Sequence, residues 1–227
     1  MKILRNLLFV LSIAAVFSSC SDDDDYSLDK FWLSLGTIEG TQDSYTVLTD
    51  HGDRLFPSAN AVPGFEVEDG MRVWVNYTIL GDATGEITYY VKINNLTEVL
   101  TKGIIELTPE NADSIGNDAL TIDDYSFTNQ FLNVAFSYGG GGTIHFINLV
   151  TDVDNPTTPD GMPILEVMHN KNGDPYNYLR KGLVSFDLTE LEEPGKTEVT
   201  FLLRAKGKTG EYEFEQELTY EYGTVTP

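Results

Sequence analysis

The sequence is poor in cysteine and in positive charge, and both shortages limit what the protein can be. Cys20 is the single cysteine among 227 residues, so no disulfide can form within the chain and a zinc site built on several cysteines is excluded. Only 14 lysines and arginines stand against 36 aspartates and glutamates, which gives a formal net charge of −22. Because such a chain repels polyanions, we do not expect nucleic acid as a partner.

Long apolar runs are also scarce, and the one near the N-terminus has the features of a targeting segment. Residues 7–17 are almost wholly apolar and follow the basic residues Lys2 and Arg5. This pattern is typical of a secretion signal, whereas a membrane-spanning helix needs roughly 20 apolar residues. We therefore predict a signal peptide over residues 1–19.

The two small residues before the cysteine, Ser18 and Ser19, resemble the end of the lipobox of bacterial lipoproteins. The resemblance implies that Cys20 is the lipidation site and the first residue of the mature chain. Each buried methylene contributes about 0.8 kcal/mol, so two or more acyl chains hold a protein durably at a membrane. We expect the membrane to be a partner through this lipid anchor.

The residues after Cys20 are strongly acidic, and we predict that residues 20–28 form a solvated tether. The run also resembles the surface-export signal of Bacteroidetes lipoproteins, which here consists of Ser21, Asp22, Asp23, Asp24 and Asp25. The resemblance implies a lipid-anchored position on the outer membrane with the domains exposed on the cell surface. The periplasmic face of that membrane is the alternative.

Alternation of apolar and polar residues predicts strands along most of the mature chain, and hence an all-β fold class. Residues 71–80 and 86–96 flank a Gly-Asp turn, which predicts a hairpin. Residues 131–138 and 143–150 flank the run Gly139–Gly142, which predicts a second hairpin with a flexible tip.

The C-terminal residues 211–222 alternate aromatic residues and leucine with glutamates. The glutamates could be mistaken for a catalytic row or a cation site. A strand with one buried and one solvated face explains the same pattern, and we predict that strand.

One short helical signal divides the chain. Thr108 is a candidate N-cap and Pro109 suits the first helical position, so we predict a joint over residues 108–120. The first domain then covers residues 29–107, with five strands of which the last lies at residues 102–107. Five strands are too few for two full sheets, which favours a small OB-like barrel.

The resemblance to a known family covers most of the mature chain. Residues 64–80 (GFEVEDGMRVWVNYTIL) resemble the N-terminal OB domain of NigD-like lipoproteins of Bacteroidetes. Residues 143–150, 164–174 and 182–191 resemble the C-terminal β-sandwich domain of the same family. The resemblance implies an OB-like barrel followed by an antiparallel β-sandwich over residues 121–227, and it brings no established activity.

The residues that could carry chemistry show no recognised spacing. His51, His145 and His169 are scattered, with no HxxxH or HExxH pattern, so we expect no transition-metal site, no catalytic constellation and no cofactor. His169 is interpreted as closing a strand. A weak calcium site around residues 152–160 stays open, with oxygen ligands from Asp152, Asp154, Asn155 and Asp160.

The aromatic residues of the first domain allow two interpretations. Residues 29–107 carry five basic and twelve acidic side chains, which argues against binding of single-stranded nucleic acid by the barrel. Stacking on sugar rings and burial in the core are the two roles open to Trp32, Trp74, Tyr89 and Tyr90.

The functional hypothesis that we prefer is a non-enzymatic surface lipoprotein that binds or assembles with a protein or glycan partner. It predicts patches of exposed aromatic residues outside the cores and no buried cluster of polar groups. The alternatives are a secreted hydrolase of polysaccharide or peptide and, from the family name alone, a bacteriocin-related immunity protein.

Overall fold

The regular secondary structure of the described part is almost entirely β-strand, which confirms the predicted all-β class. The computed structural model describes residues 26–222. Its strands form a closed five-stranded barrel and two further sheets, of five and four strands. Among these residues, no helix is both long and apolar enough to cross a membrane.

The first domain is an OB-like barrel with the strand order β1-β2-β3-β5-β4, closed by the pairing of β4 with β1. β3 and β5 pair in parallel and the other neighbours are antiparallel. Buried aliphatic side chains that alternate along the strands fill its interior. The strands are β1 (Trp32–Thr41), β2 (Ser44–Thr49), β3 (Arg54–Asn60), β4 (Arg72–Asp82) and β5 (Tyr89–Glu98).

The predicted hairpin of residues 71–80 and 86–96 is confirmed as β4 and β5, but the fifth strand of the barrel is not the predicted one. It is β3, which contains Pro57, and its register with β5 shifts between Pro57 and Ala59. Proline donates no ladder hydrogen bond and is found at strand edges and irregularities. Because of this proline, the alternation of apolar and polar residues did not predict the strand.

The second domain is a sandwich of two sheets, with strand orders β14-β13-β11-β10-β7 and β6-β12-β9-β8. Its helical elements are α1 (Ala112–Ile115) and a 3-10 turn at Thr189–Leu191. Its strands are β6 (Leu100–Lys102), β7 (Ile104–Leu107), β8 (Thr121–Thr128), β9 (Phe131–Gly140), β10 (Phe146–Asp152), β11 (Ile164–Asn170), β12 (Tyr178–Asp187), β13 (Glu198–Lys206) and β14 (Tyr212–Glu221).

The boundary between the domains lies earlier than predicted. β6 pairs with β12 in one sheet and β7 pairs with β10 in the other, so the chain crosses between the sheets at Gly103. Residues 100–107 therefore belong to the sandwich and the barrel ends with β5. The predicted joint at residues 108–120 is likewise part of the sandwich, where α1 packs Ile115 against Val150 and Met168. The helix begins after Asn111 rather than after Thr108.

Two further details of the sandwich differ from the prediction. Its sheets are mixed rather than antiparallel, because β6 with β12, β7 with β10 and β11 with β13 are parallel pairs. β9 and β10 lie in different sheets, so the predicted second hairpin is wrong. The glycine run between them carries the chain from one sheet to the other.

The C-terminal strand β14 confirms the prediction of one buried and one solvated face. Leu218 and Tyr220 are buried in the core between the sheets, and the glutamates of the strand are exposed. Tyr212 departs from the pattern, because its hydroxyl donates a hydrogen bond to the buried carboxylate of Glu166 at 2.9 Å. Burial and this carboxylate raise the pKa of Tyr212 to about 12.

A buried charged cluster joins the two domains. Arg72 of β4 is 1% exposed and donates to both carboxylate oxygens of Asp50, at 2.6 and 2.8 Å. It also donates to Asn133 of β9 at 3.0 Å, and its guanidinium lies 4.9 Å from the ring centroid of Phe131. The Thr128 hydroxyl donates to Asp50 at 2.9 Å. The domains are therefore held together by hydrogen bonds to a charged pair.

Candidate ligand-binding site

The structure contains a cavity of about 380 Å³ at the end of the sandwich, which we call the end cavity. It lies where the last residues of β9 meet the segment 118–121 and the loop between β11 and β12. Its walls combine aromatic and aliphatic surface with a few charged groups. The lining residues are Asp118, Ala119, Leu120, Thr121, Ser137, Tyr138, Gly139, His169, Lys171, Gly173, Asp174, Pro175, Tyr176, Leu179 and Lys208.

The end cavity exists because β8 is shorter than its neighbour β9. Thr121, the first residue of β8, pairs with Ser137. Immediately before it the chain turns to the other sheet, where the Asp118 amide donates to the His169 carbonyl and the Leu120 amide to the Lys206 carbonyl. Residues 138–140 of β9 therefore pair with β12 on one side and face the cavity on the other.

The first three glycines of the run beside the cavity are closely packed, and the run is not the hairpin tip predicted. The ring of Tyr176 lies against Gly139, where an added Cβ would stand 1.7 Å from a ring carbon. The amides of Gly141, Gly142 and Thr143 all donate to one carboxylate oxygen of Asp174, at 2.6, 2.9 and 3.2 Å. Three converging amides form an anion-binding concavity, here occupied by the chain's own carboxylate.

Two histidines that are 24 positions apart in the sequence lie behind the cavity and contact each other. Nδ1 of His145 is 2.8 Å from Nε2 of His169. The other ring nitrogens face Asp174 at 3.0 Å and the Ala119 carbonyl at 3.1 Å. Tyr138 packs against both rings, with centroid distances of 4.6 and 5.3 Å. The sequence spacing gave no sign of this pair, because adjacent strands of the sheet bring the two residues together.

The number of hydrogens needed for these three hydrogen bonds determines the charge of the histidine pair. The Ala119 carbonyl and the Asp174 carboxylate only accept hydrogen bonds, so each must receive a proton from the histidine that faces it. The bond between the two rings needs a third. Two neutral imidazoles carry two N–H groups, so the three bonds require one imidazolium in the pair.

The pKa values agree with that arrangement. The Gly142 amide and His145, followed by the amides of Gly141 and Thr143, hold the pKa of Asp174 far below its ordinary value. Burial lowers the pKa of His169, and the neighbouring His145 adds to this effect. A neutral His169 and an ionised Asp174 are therefore the favoured states.

The arrangement is suited to holding the walls of the cavity, not to transferring protons into it. All four ring nitrogens of the histidine pair have partners within the protein. The Ser137 hydroxyl donates to Asp123, so it is not paired with a base that could activate it. Lys171 pairs with Asp118 at 2.9 Å, and Lys208 lies 5.3 Å from the ring centroid of Tyr176.

Exposed apolar side chains surround the end cavity. Tyr176 and Leu179 line it and are 61% and 62% exposed, and Tyr178 at the start of β12 is 65% exposed. Ile144, next to the glycine run, is 74% exposed. The exposed aromatic surface expected of a binding protein is thus present on the sandwich. The expectation of no buried cluster of polar groups is wrong, because His169 and Asp174 are buried and hydrogen-bonded to His145.

The residues singled out from the sequence lie elsewhere or outside the described part. Cys20 and the acidic run Ser21, Asp22, Asp23, Asp24 and Asp25 fall before residue 26, so the structure does not test the lipidation site or the export signal. His51 lies in an exposed turn of the barrel.

The aromatic residues proposed for sugar stacking are divided between the surface and the core. Trp32 is 51% exposed and Tyr90 is 43% exposed, in an edge-to-face pair with Phe56. Trp74 is half-buried, and Tyr89 packs against the barrel core.

The candidate calcium loop forms turns instead of a cage. The Asp152 carboxylate accepts from the Asp154 amide at 2.9 Å and from the Asn155 side chain at 3.2 Å. Within residues 26–222, no group of three or more histidine, cysteine, aspartate or glutamate side chains is placed to hold a metal ion.

The fold and the cavity define a two-domain protein with an OB barrel, a β-sandwich and a pocket at the end of the sandwich. A model of the NigD-like N-terminal OB domain matches residues 35–99, and a model of the NigD-like C-terminal beta sandwich domain matches residues 103–220. The chain therefore belongs to the NigD-like family. No curated protein matches it.

Solved structures share this architecture. A protein from Parabacteroides distasonis described as toxin-related is 28% identical with a TM-score of 0.71, over 86% of this chain and 95% of its own. A NigD-like immunity protein from Bacteroides caccae is 21% identical with a TM-score of 0.64, over 86% of this chain and 98% of its own. A Bacteroides fragilis protein described as a lipoprotein is 11% identical with a TM-score of 0.61, over 86% and 100%. The last two likenesses concern the fold alone.

Proposed function

We propose that the protein is a non-enzymatic binding module, anchored by a lipid at Cys20 and exposed on the cell surface, and that its ligand occupies the end cavity. The observation that carries the proposal is a preformed pocket with exposed Tyr176 and Leu179 at its rim and a buried hydrogen-bonded network behind it. Ligand sites are commonly preformed, largely apolar and supplied with a few polar groups.

Binding at the end cavity is tested by one aromatic substitution and a matched control. The soluble protein without its signal peptide is offered to glycan arrays and to displayed peptides, and affinities for the selected ligands are measured by calorimetry. We expect Tyr176→Ala to lower affinity about tenfold or more, because aromatic anchors dominate binding sites. Tyr90→Ala, on the barrel, should leave it unchanged. Absence of any ligand, or equal loss in both variants, would refute the proposal.

A hydrolase is the alternative that the geometry disfavours, since the histidines behind the cavity have no free ring nitrogen. The purified protein is tested for turnover of polysaccharide and peptide substrates. If turnover is found and a substitution in the lining of the end cavity abolishes it, the hydrolase hypothesis replaces the binding proposal.

The anchored, surface-exposed position is supported by the lipobox and the acidic run in the sequence, and by the likeness to a protein described as a lipoprotein. We expect mass spectrometry to find acyl chains on Cys20 and protease treatment of intact cells to digest the protein. The Cys20→Ser variant should be recovered in soluble form. Protection of the wild-type protein until the outer membrane is opened would place it on the periplasmic face.

An immunity role is a second candidate because a solved structure with the same fold is described as a NigD-like immunity protein. Under this hypothesis, expression of the full chain protects sensitive cells from a bacteriocin-producing strain. Equal killing with and without the protein would exclude it for that bacteriocin.

A further inference from the structure

The end cavity borders a strand edge that lacks a neighbour, and this suggests what kind of ligand it takes. β8 begins opposite Ser137, so the backbone of Tyr138, Gly139 and Gly140 has a strand on one side only within the described chain. On that side, the N–H and C=O groups that do not point toward β12 have no strand to pair with. Tyr138 and Gly139 are partly exposed there, and Gly140 is buried. A strand edge without a neighbour can accept one more strand from another molecule.

The surroundings of that edge suit the side chains of an extended peptide. Successive side chains of a strand point to opposite faces, so an added segment would place alternate side chains toward the cavity. The walls they would meet are apolar, from Leu120, Tyr138, Pro175, Tyr176 and Leu179. A volume of about 380 Å³ holds one or two side chains and not a folded domain.

The charges of the lining favour an acidic segment. Lys171 is paired with Asp118, and Asp174 is held by three amides and His145. Lys208 contacts the Tyr176 ring and has no carboxylate partner within residues 26–222. It is therefore the one unpaired charge of the lining among the described residues. A carboxylate brought beside Lys208 would gain an ion pair at the exposed rim of the cavity.

The edge is held in its conformation before any ligand arrives. Gly139 lies under the Tyr176 ring, and the amides of Gly141 and Gly142, just beyond the edge, are held by the Asp174 carboxylate. Binding to a fixed edge requires little ordering of the protein, which favours affinity.

We propose that the end cavity binds an extended, acidic peptide segment of a partner protein, which pairs with the open edge of β9 at residues 138–140 and places a carboxylate beside Lys208. This inference rests on the proposed function and specifies the ligand class.

A phage-displayed library of random nine-residue peptides tests the proposal against the soluble protein. We expect selected peptides to alternate apolar residues with at least one Asp or Glu. Synthetic copies should bind about tenfold more weakly to Lys208→Glu and to Leu179→Asp, while Lys92→Glu, an exposed lysine of the barrel, should leave affinity unchanged. Selection of basic peptides, or of peptides indifferent to Lys208→Glu, would overturn the charge assignment and with it the proposal.

Strand pairing itself is tested by methylating the peptide backbone. N-methylation at alternate amides of a selected peptide should lower affinity about tenfold, and methylation at the intervening amides should have little effect. Hydrogen exchange at residues 138–140 should slow on binding. Equal sensitivity at all amides would refute pairing with β9.

The outcomes distinguish failure of the peptide inference from failure of the proposed binding function. If glycans bind in a Tyr176-dependent manner and no peptide is selected, binding at the end cavity stands and the peptide inference fails. If neither glycans nor peptides bind, both fail.

Discussion

At the scale of single residues, glycines mark the places where the backbone must be approached closely. Gly182 of β12 lies under Phe136, where an added Cβ would stand 2.5 Å from ring carbon Cζ. Because that ring is buried, it has little room to move. Gly139 differs, because the Tyr176 ring that covers it is exposed and can move away.

We expect Gly182→Ala to lower the free energy of unfolding by about 1–3 kcal/mol through overpacking. Urea unfolding followed by fluorescence measures the change. Gly64→Ala is the matched control, since nothing lies within 4 Å of its added Cβ. A Gly182→Ala variant as stable as the control would show that Phe136 can adjust.

The histidine pair gives a prediction about pH. Burial lowers the pKa of His169 in the folded protein, while the unfolded chain has the ordinary value of about 6.5. Between these values the unfolded state binds more protons, so stability is lost as the pH falls from about 6.5 toward the folded pKa. In His169→Gln that decline should become shallower, as measured by urea unfolding from pH 7.5 to 5. His51→Gln, which alters an exposed histidine, should keep the wild-type slope, and an unchanged slope in His169→Gln would contradict the assignment.

The same residues show why the candidate site could not be predicted from the sequence. A catalytic or metal motif is recognised by spacing along the chain, whereas His145, just before β10, meets His169 of the neighbouring strand β11. The glycine run was visible in the sequence, but its partner Asp174 is more than 30 positions away and carries no motif. A lone aspartate before a proline gives no signal of three amides converging on it.

At the scale of strands, the sequence predicted the elements better than their partners. Alternation of apolar and polar residues located β4, β5, β9, β10 and β14. It missed β3, which contains a proline and a register shift. It also assigned residues 102–107 to the wrong domain, since alternation records which face is buried and not which sheet covers it.

The two short edge strands β6 and β7 give a prediction at this scale. Each covers an edge of the sandwich, beside β12 and β10 respectively. A fragment of residues 100–227 should therefore give a folded β-protein with dispersed amide resonances. A fragment of residues 108–227 should aggregate, because it leaves both strand edges bare. Equal solubility and dispersion of the two fragments would show that β6 and β7 are dispensable.

At the scale of the whole molecule, the cluster around Arg72 joins the barrel to the sandwich. Removing one partner of a buried ion pair costs about 3–5 kcal/mol, because the other charge is left without its partner. We expect Arg72→Ala to lower the melting temperature and to separate a single calorimetric transition into two.

The control for this variant is Arg54→Ala, which removes the more exposed ion pair with Glu39 in the same barrel. Such pairs contribute about 0–1 kcal/mol, so one transition near the wild-type temperature is expected. One transition with an unchanged midpoint in Arg72→Ala would show that the domains are coupled by other contacts.

The open edge of β9 has a consequence wherever many copies of the protein lie close together. An unpaired strand edge does not distinguish a foreign strand from the same edge on an adjacent copy. Molecules that each carry a net charge of −22 keep apart at low ionic strength, which reserves the edge for other partners. Added salt shortens the range of this repulsion, so clustering of neighbouring copies should begin as the ionic strength rises.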